Sequence, residues 1–269
     1  MRDSGTYKLE RVITSAQGAS AQRLRFKHMD MADLESRLQE AAGARSRLIA
    51  TDGVFSMDGD YAPLKAICAL ARKYDALVFV DDCHATGFVG ASGRGSDEHC
   101  GVHGQVDIIN STLGKALGGA TGGYTTGKQE VIDMLRQRSR PYLFSNTLAP
   151  AVVGASLAAF DIISASSALR DTLEANTLHF RRRMTDIGFQ IRPGTHPIVP
   201  IMLGDAALAS SMAAQLLAHD VYVTAFSYPV VPRGRARIRV QISAAHTRTQ
   251  IDAAVAAFQS VGRELGVVA

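Results

Sequence analysis

Ala76-Leu77-Val78-Phe79-Val80 is a continuous β-prone run that ends abruptly in the polar cluster Asp81-Asp82-Cys83-His84. A strand with no polar alternation reads as buried on both faces, which is the habit of parallel sheets covered by helices. A second run, Val106-Asp107-Ile108-Ile109, is likewise followed closely by a polar cluster, Ser111-Thr112-Leu113-Gly114-Lys115. Upstream, Arg47 to Thr51 reads as a compact strand, and Pro63 opens a helix whose apolar residues Leu64, Ile67, Cys68 and Ala71 recur at helical spacing. Strand, helix, strand in this order makes the chain α/β.

The pattern restarts after Gly194. Ile198–Met202 reads as a strand, Leu208, Met212 and Leu216 mark a helix, and Val221–Thr224 and Arg237–Gln241 read as further strands. Ile251, Val255, Phe258, Val261 and Leu265 trace a closing helix. Near the start, Leu34, Leu38, Ala41 and Ala42 give a short helix that ends at Gly43. Between the two α/β blocks the spacing predicts one long helix from about Ala149 to Arg183.

Charge and cysteine content exclude several classes. Lys and Arg number 29 against 25 Asp and Glu, a net charge of +4, and the signs are interspersed, so no nucleic-acid surface is expected. The longest apolar stretch, Leu148 to Ile163, falls short of the roughly 18–20 apolar residues of a membrane span and reads as a buried helix. Three cysteines cannot form a disulfide framework, which favours a reducing, intracellular compartment. His99, Cys100 and His103 match no zinc-ligand spacing and read as loop residues, so no metal is expected.

In open α/β sheets ligands sit at the carboxyl ends of strands. Three polar groups follow strands here: Ser56, the Asp81–His84 cluster and the Ser111–Lys115 cluster. Asp81, closing an apolar run, fits a helix cap, a metal ligand or a partner for a protonated ring nitrogen. Lys115 fits a snorkelling surface lysine or an amine nucleophile; it is no P-loop lysine, because Ala116 stands where Ser or Thr is required. An amine, an acidic partner for a ring nitrogen and hydroxyls for a phosphate are together what pyridoxal phosphate (PLP) needs.

Four longer motifs carry a resemblance. Thr51-Asp-Gly-Val-Phe-Ser-Met-Asp-Gly59, Val80-Asp-Asp-Cys-His-Ala-Thr-Gly87, Gly93-Arg-Gly95 and Ser111-Thr-Leu-Gly-Lys-Ala-Leu-Gly-Gly119 resemble those of the α-oxoamine synthases. Arg138–Asn146 and Tyr228–Arg239 narrow it to the branch that joins glycine to acetyl-CoA. The resemblance implies a PLP-dependent transferase of fold type I, aspartate-aminotransferase-like, with an incomplete large domain and a smaller C-terminal α/β domain. It implies Lys115 as the Schiff-base lysine, Asp81 at the pyridine nitrogen, His84 at the phenolic oxygen, Ser56 near the ring and Thr112 at the phosphate. Ser145 and Asn146 would reach the phosphate of a second subunit in a homodimer, and Arg239 would clamp the substrate carboxylate. The implied reaction interconverts glycine plus acetyl-CoA and 2-amino-3-oxobutanoate plus CoA, in the cytoplasm or the mitochondrial matrix. The alternatives are another PLP chemistry on the same fold, such as aldol cleavage of threonine, and a non-catalytic chain that keeps the dimer surface and pairs with a full-length subunit.

The resemblance is interrupted near the start. Leu9–Gly18 is similar to the family's N-terminal segment, whereas Arg23–Met31 is similar to a point roughly 130 residues further on, about one domain's worth of chain. The expected organisation is therefore an N-terminal segment, 1–22, an incomplete PLP-binding domain, 23–150, a connecting helix, 151–183, and a small domain, 184–269.

Overall fold

The computed structural model describes residues 22–269, so the Leu9–Gly18 motif lies outside the described residues. The chain divides into two units at Gly43. The first holds α1 (Met31–Glu40), whose N-terminus is capped by the Asp30 carboxylate accepting from Asp33 N–H, and whose Leu34 and Leu38 are buried.

The second unit opens with β1 (Arg47–Asp52), α2 (Leu64–Lys73) and β2 (Ala76–Asp81). Helix α2 buries the four residues its spacing predicts, Leu64, Ile67, Cys68 and Ala71. A short turn of helix, α3 (Ser96–His99), precedes β3 (Ile108–Thr112) and β4 (Gly123–Gly127). The sheet order is β1-β2-β3-β4, with β1, β2 and β3 parallel and β4 antiparallel to β3.

Two expectations about this sheet are corrected. The strand expected at Val106–Ile109 begins only at Ile108, because the Asp107 N–H donates to Val78 O and the Asp107 carboxylate accepts from Val78 N–H, tying that residue to β2 as a lead-in. The strands are also not buried on both faces. Val78 and Val80 are buried, whereas Leu48 and Leu77 are 56% and 42% exposed, so one face lacks a helical cover among the described residues.

Four helices follow: α4 (Gln129–Arg138), α5 (Arg140–Phe144), α6 (Pro150–Ala165) and α7 (Ala168–Asp186). The single long helix expected over this region is two helices, bent by 77°. Ser166 is extended (φ −152°, ψ 144°) and its hydroxyl accepts from Ala168 N–H, while Ser167 Oγ donates to Asp171. Ser166 thus satisfies one of the backbone N–H groups left over at the start of α7, and Ser167 ties down the first turn through the Asp171 side chain. Nor is α6 the buried helix expected from its composition. Only Ser156 is buried, and Leu157 and Ile162 are each 61% exposed. Helix α6 touches the sheet side through small contacts: a Cβ on Gly119 would come within 2.9 Å of Ser156 Oγ, and Phe160 meets Tyr124 edge-on. No single helix among the described residues is long and apolar enough to cross a membrane.

The remainder forms β5 (Ile198–Gly204), α8 (Ala206–Leu217), β6 (Thr224–Phe226), β7 (Ala236–Gln241) and α9 (Arg248–Glu264), with an antiparallel sheet ordered β5-β7-β6. Strand β6 starts later than the expected Val221, because Val221 N–H still bonds Leu216 O at the end of α8. Phe180, Met184, Val199, Ile201, Met212, Ile238 and Phe258 share one core, in which α7, α8 and α9 take part. A capping box, Thr247 with Gln250, starts α9.

Candidate active site

Strand register sets out the site. Asp52 pairs with Asp81, Asp81 with Asn110 and Asn110 with Thr125, so four polar residues stand in a row across neighbouring strands. In β1 to β3 this row falls at or near the carboxyl ends, where a parallel sheet presents its ligand crevice. The Asp81 carboxylate accepts from Cys83 N–H at 3.0 Å and from Asn110 Nδ2 at 3.4 Å. Asn110 is itself oriented by Thr125, whose hydroxyl donates to Asn110 Oδ1 at 3.1 Å. Burial works against an ionised Asp81, but the bonds from Cys83 and Asn110 and the charge of Lys115 outweigh it and hold the carboxyl below its ordinary range. Asp81 is therefore an acceptor at neutral pH. The same surroundings push the Cys83 thiol up to about 11, through burial and the adjacent Asp81, so it stays a thiol.

Lys115 and His84 meet across two loops. Lys115 follows β3 on a loop that turns back through Gly118 and Gly119, and its Nζ lies 3.0 Å from His84 Nε2. His84 is half-buried and its pKa is pulled down to about 4, first by burial, then by Lys115 and Arg239, against a smaller opposing effect of Asp81. A neutral imidazole beside an amine can exchange a hydrogen bond with it without adding charge. Asp52 is pushed up by burial and by Asp81 across the register.

Asp82, next in sequence, points away from this row. Its buried carboxylate accepts from the backbone and hydroxyl of Ser96, and burial pushes its pKa up to about 6. Gly95 sits at φ +130°, and a Cβ there would fall 1.8 Å from Asp82 Oδ2. That contact gives the Gly93-Arg-Gly95 motif its physical reason, since only glycine lets the loop close on the carboxylate.

The remaining expected site residues divide. Ser56 lies in the loop after β1, and its backbone oxygen accepts from Arg239 Nη1 at 2.9 Å. The Arg239 guanidinium also lies over the Phe226 ring, 4.9 Å from its centroid. Thr112 turns its hydroxyl to Gly122 O and accepts from Gly114 N–H, which shapes the loop that carries Lys115. Ser145 and Asn146 lie exposed beyond α5, with no hydrogen bond to the Lys115 cluster among the described residues. Of the other candidates, His103 Nδ1 meets Asp97 and His99 stacks on Tyr61.

Residues that sequence reasoning did not single out hold the Ser56 loop. Arg237, 3% exposed, donates to Asp58 at 2.6 Å and to Met57 O at 2.9 Å, and Arg192 pairs with Asp58 and Asp60. The alternating Arg-Ile-Arg of β7 was the one sequence signal for Arg237, since a period of two sends it to the same face as Arg239.

The chain belongs to a recognised family. Residues 5–258 match the model of aminotransferase class I and II, and the chain is a member of that family. It is 58% identical over 260 residues to the 2-amino-3-ketobutyrate coenzyme A ligase of Escherichia coli K12, covering 96% of this chain and 65% of the relative. It is 57% identical over 257 residues to the human mitochondrial enzyme of the same name, covering 96% of this chain and 61% of the relative. The chain thus spans less than two thirds of the length of these relatives. A structure of SPT with PLP superposes with a TM-score of 0.87 at 34% identity, covering 91% of this chain and 62% of that one. The fold is accordingly that of the type I transferases expected from the motifs.

Proposed function

We propose that the chain binds PLP through Lys115 and acts as a glycine C-acetyltransferase, interconverting glycine plus acetyl-CoA and 2-amino-3-oxobutanoate plus CoA. The observation that carries this reading is the Lys115 amine 3.0 Å from the His84 imidazole, facing the strand-end row that holds an ionised Asp81. These donors and acceptors fit PLP: an amine for its aldehyde, a carboxylate for its ring nitrogen and an imidazole for its phenolic oxygen. The similarity to 2-amino-3-ketobutyrate coenzyme A ligases supports the choice of substrates.

When bound, PLP supplies an electron sink for a bond broken at the α-carbon of an amino acid. Asp81, held by Cys83 and Asn110, accepts from the protonated ring nitrogen and keeps that proton in place. His84 takes the phenolic oxygen as its partner. To meet the phosphate, Thr112 would turn its hydroxyl away from Gly122 O, to which it now donates. Arg239, now bonded to Ser56 O, turns its guanidinium to the glycine carboxylate and pairs with it in bidentate fashion. With glycine bound, Lys115 Nζ would be the base that takes the α-proton. The α-carbon would then bond to the thioester carbonyl carbon of acetyl-CoA as the C–S bond breaks, and the proton taken up by Lys115 would pass to the leaving CoA thiolate.

The working unit in this reading is a homodimer. Ser145 and Asn146 sit beside Tyr142 and Phe144, which are 65% and 78% exposed, so the segment offers both polar groups for a neighbour's phosphate and apolar surface to bury.

The test is CoA release from acetyl-CoA by the PLP-loaded chain, with and without glycine, alongside its mass in solution by light scattering. Glycine-dependent release from a dimer is the expected result. Release of glycine and acetaldehyde from threonine without acetyl-CoA would replace it with aldol cleavage. A chain that neither turns over nor dimerises would overturn the reading.

A further inference from the structure

His196 is fully buried, 112 residues from His84 in sequence, and it joins the second α/β block to the first. Its Nδ1 lies 3.0 Å from Ile198 N–H, which can only donate, so Nδ1 accepts and the ring proton sits on Nε2. Nε2 lies 2.9 Å from the backbone oxygen of His84 and donates to it. Both ring nitrogens are thereby satisfied in one tautomer. The ring packs between Tyr61, edge-on at 5.6 Å, and Phe88 at 5.5 Å, and Tyr61 closes the loop that carries Ser56 by bridging to Val54. Arg181, itself buried, fixes the backbone on both sides of the ring: it donates to His196 O, Ile198 O and Arg192 O, with no carboxylate among its partners.

We propose that His196 is a positioning residue for the active site: through its Nε2–H it holds the His84 carbonyl, and so keeps the His84 ring against Lys115. The role rests on the reading of His84 and Lys115 as PLP-binding groups, and it adds a residue from the other α/β block that touches neither cofactor nor substrate. The physical case is one of fixed geometry. His84 lies on the turn after β2, and a loop carbonyl without a protein donor is easily lost to water. A buried donor with one available tautomer removes that freedom.

Two substitutions separate positioning from bulk packing. His196→Gln keeps a donor at the reach of Nε2 and gives up the acceptor for Ile198. His196→Asn keeps an acceptor near Nδ1 and gives up the bond to His84. Both lose the aromatic contacts, so both lower the melting temperature. The first readout uses the full chain without cofactor: titration of the His84 ring by NMR, with Lys115, Arg239, Asp81 and His196 as the charged or titratable groups that face it. In the Gln variant His84 continues to titrate near 4, as in the parent, whereas in the Asn variant it moves back toward its ordinary 6.5. The second readout is PLP affinity, expected to weaken about tenfold or more in the Asn variant and to change little in the Gln variant.

Equal behaviour of the two variants, with only the melting temperature changed, would overturn the proposal. Should neither variant fold, the parent chain still decides. A slowly exchanging Nε2–H signal from His196, coupled through the hydrogen bond to the His84 carbonyl carbon, is required, and an Nδ1–H tautomer would refute it. A parent chain that shows the expected NMR result but takes up no PLP would sink the cofactor reading and leave the positioning role standing.

Discussion

Lys115 Nζ lies 3.0 Å from His84 Nε2, and this contact joins the loop after β2 to the loop after β3. A lysine ammonium offers donors only, so Nε2 of His84 is the acceptor and its ring proton sits on Nδ1. The pair therefore holds the amine in place while keeping the imidazole neutral.

Removing the amine should release part of the depression of His84. In Lys115→Ala the ring is expected to titrate above the parent's value of about 4 yet still below 6.5, because burial is the larger cause and remains. NMR titration of the cofactor-free protein measures this. A His84 that titrates unchanged would show that the amine does not face it.

Acid should destabilise the chain above pH 4. His84 and His196 both titrate near 4 when folded and near 6.5 when unfolded, so between these values the unfolded state binds more protons. Stability then rises with pH from about 4 and levels off above 6.5; His196 alone contributes about 3 kcal/mol. Asp82, raised to about 6 from 3.8, acts in the opposite sense over a similar window and offsets one of the two histidines. Urea midpoints measured from pH 4 to 7.5 should therefore increase, and should increase more steeply in an Asp82→Asn variant.

Asp58 is the ionic anchor of the Ser56 loop. In Asp58→Ala the buried Arg237 guanidinium loses its carboxylate and keeps only the Met57 and Arg235 carbonyls, a loss of about 3–5 kcal/mol for a buried pair. Because Arg239 bonds the same loop through Ser56 O, the KM for glycine should rise more than kcat falls. Denaturant melts and steady-state kinetics give the two numbers. An unchanged denaturation midpoint would mean that the ion pair does not hold the loop.

Asp81 is expected to matter more than either of its supports. Asp81→Asn removes the charge that holds a proton on the ring nitrogen and should lower turnover by about 10²–10³-fold. Asn110→Ala removes only one of several donors and should cost far less. Turnover at saturating substrate compares them, and equal losses would place Asn110 in direct contact with the cofactor instead.

Much of this site was legible because chemistry follows directly on hydrophobicity. Asp81, His84 and Lys115 stand just past apolar strand runs, and helix α2 buried the four residues its period marked. What escaped notice lacked a local signal. Strand β4, Gly-Tyr-Thr-Thr-Gly, has no apolar run and forms by pairing with β3. The break between α6 and α7 rests on two serine side chains that bond backbone or side-chain groups close in sequence, inside a stretch whose composition is otherwise helical. Arg237 and His196 act on partners 179 and 112 residues away, and no window of sequence contains both ends of such a contact. The motif resemblance supplied what spacing left open, since residues alone did not choose between a structural cap and a cofactor partner at Asp81.

Lys115 is proposed as the residue that takes PLP. The chain contains six lysines, Lys8, Lys27, Lys65, Lys73, Lys115 and Lys128, few enough to map individually. PLP is added to the purified protein, the visible band of its condensation with an amine is followed, and borohydride reduction fixes the product for peptide mass mapping. The expected result is a saturable band, a phosphopyridoxyl group on Lys115 alone, and loss of both in Lys115→Ala. Labelling spread over several lysines, or a band that survives Lys115→Ala, would contradict it.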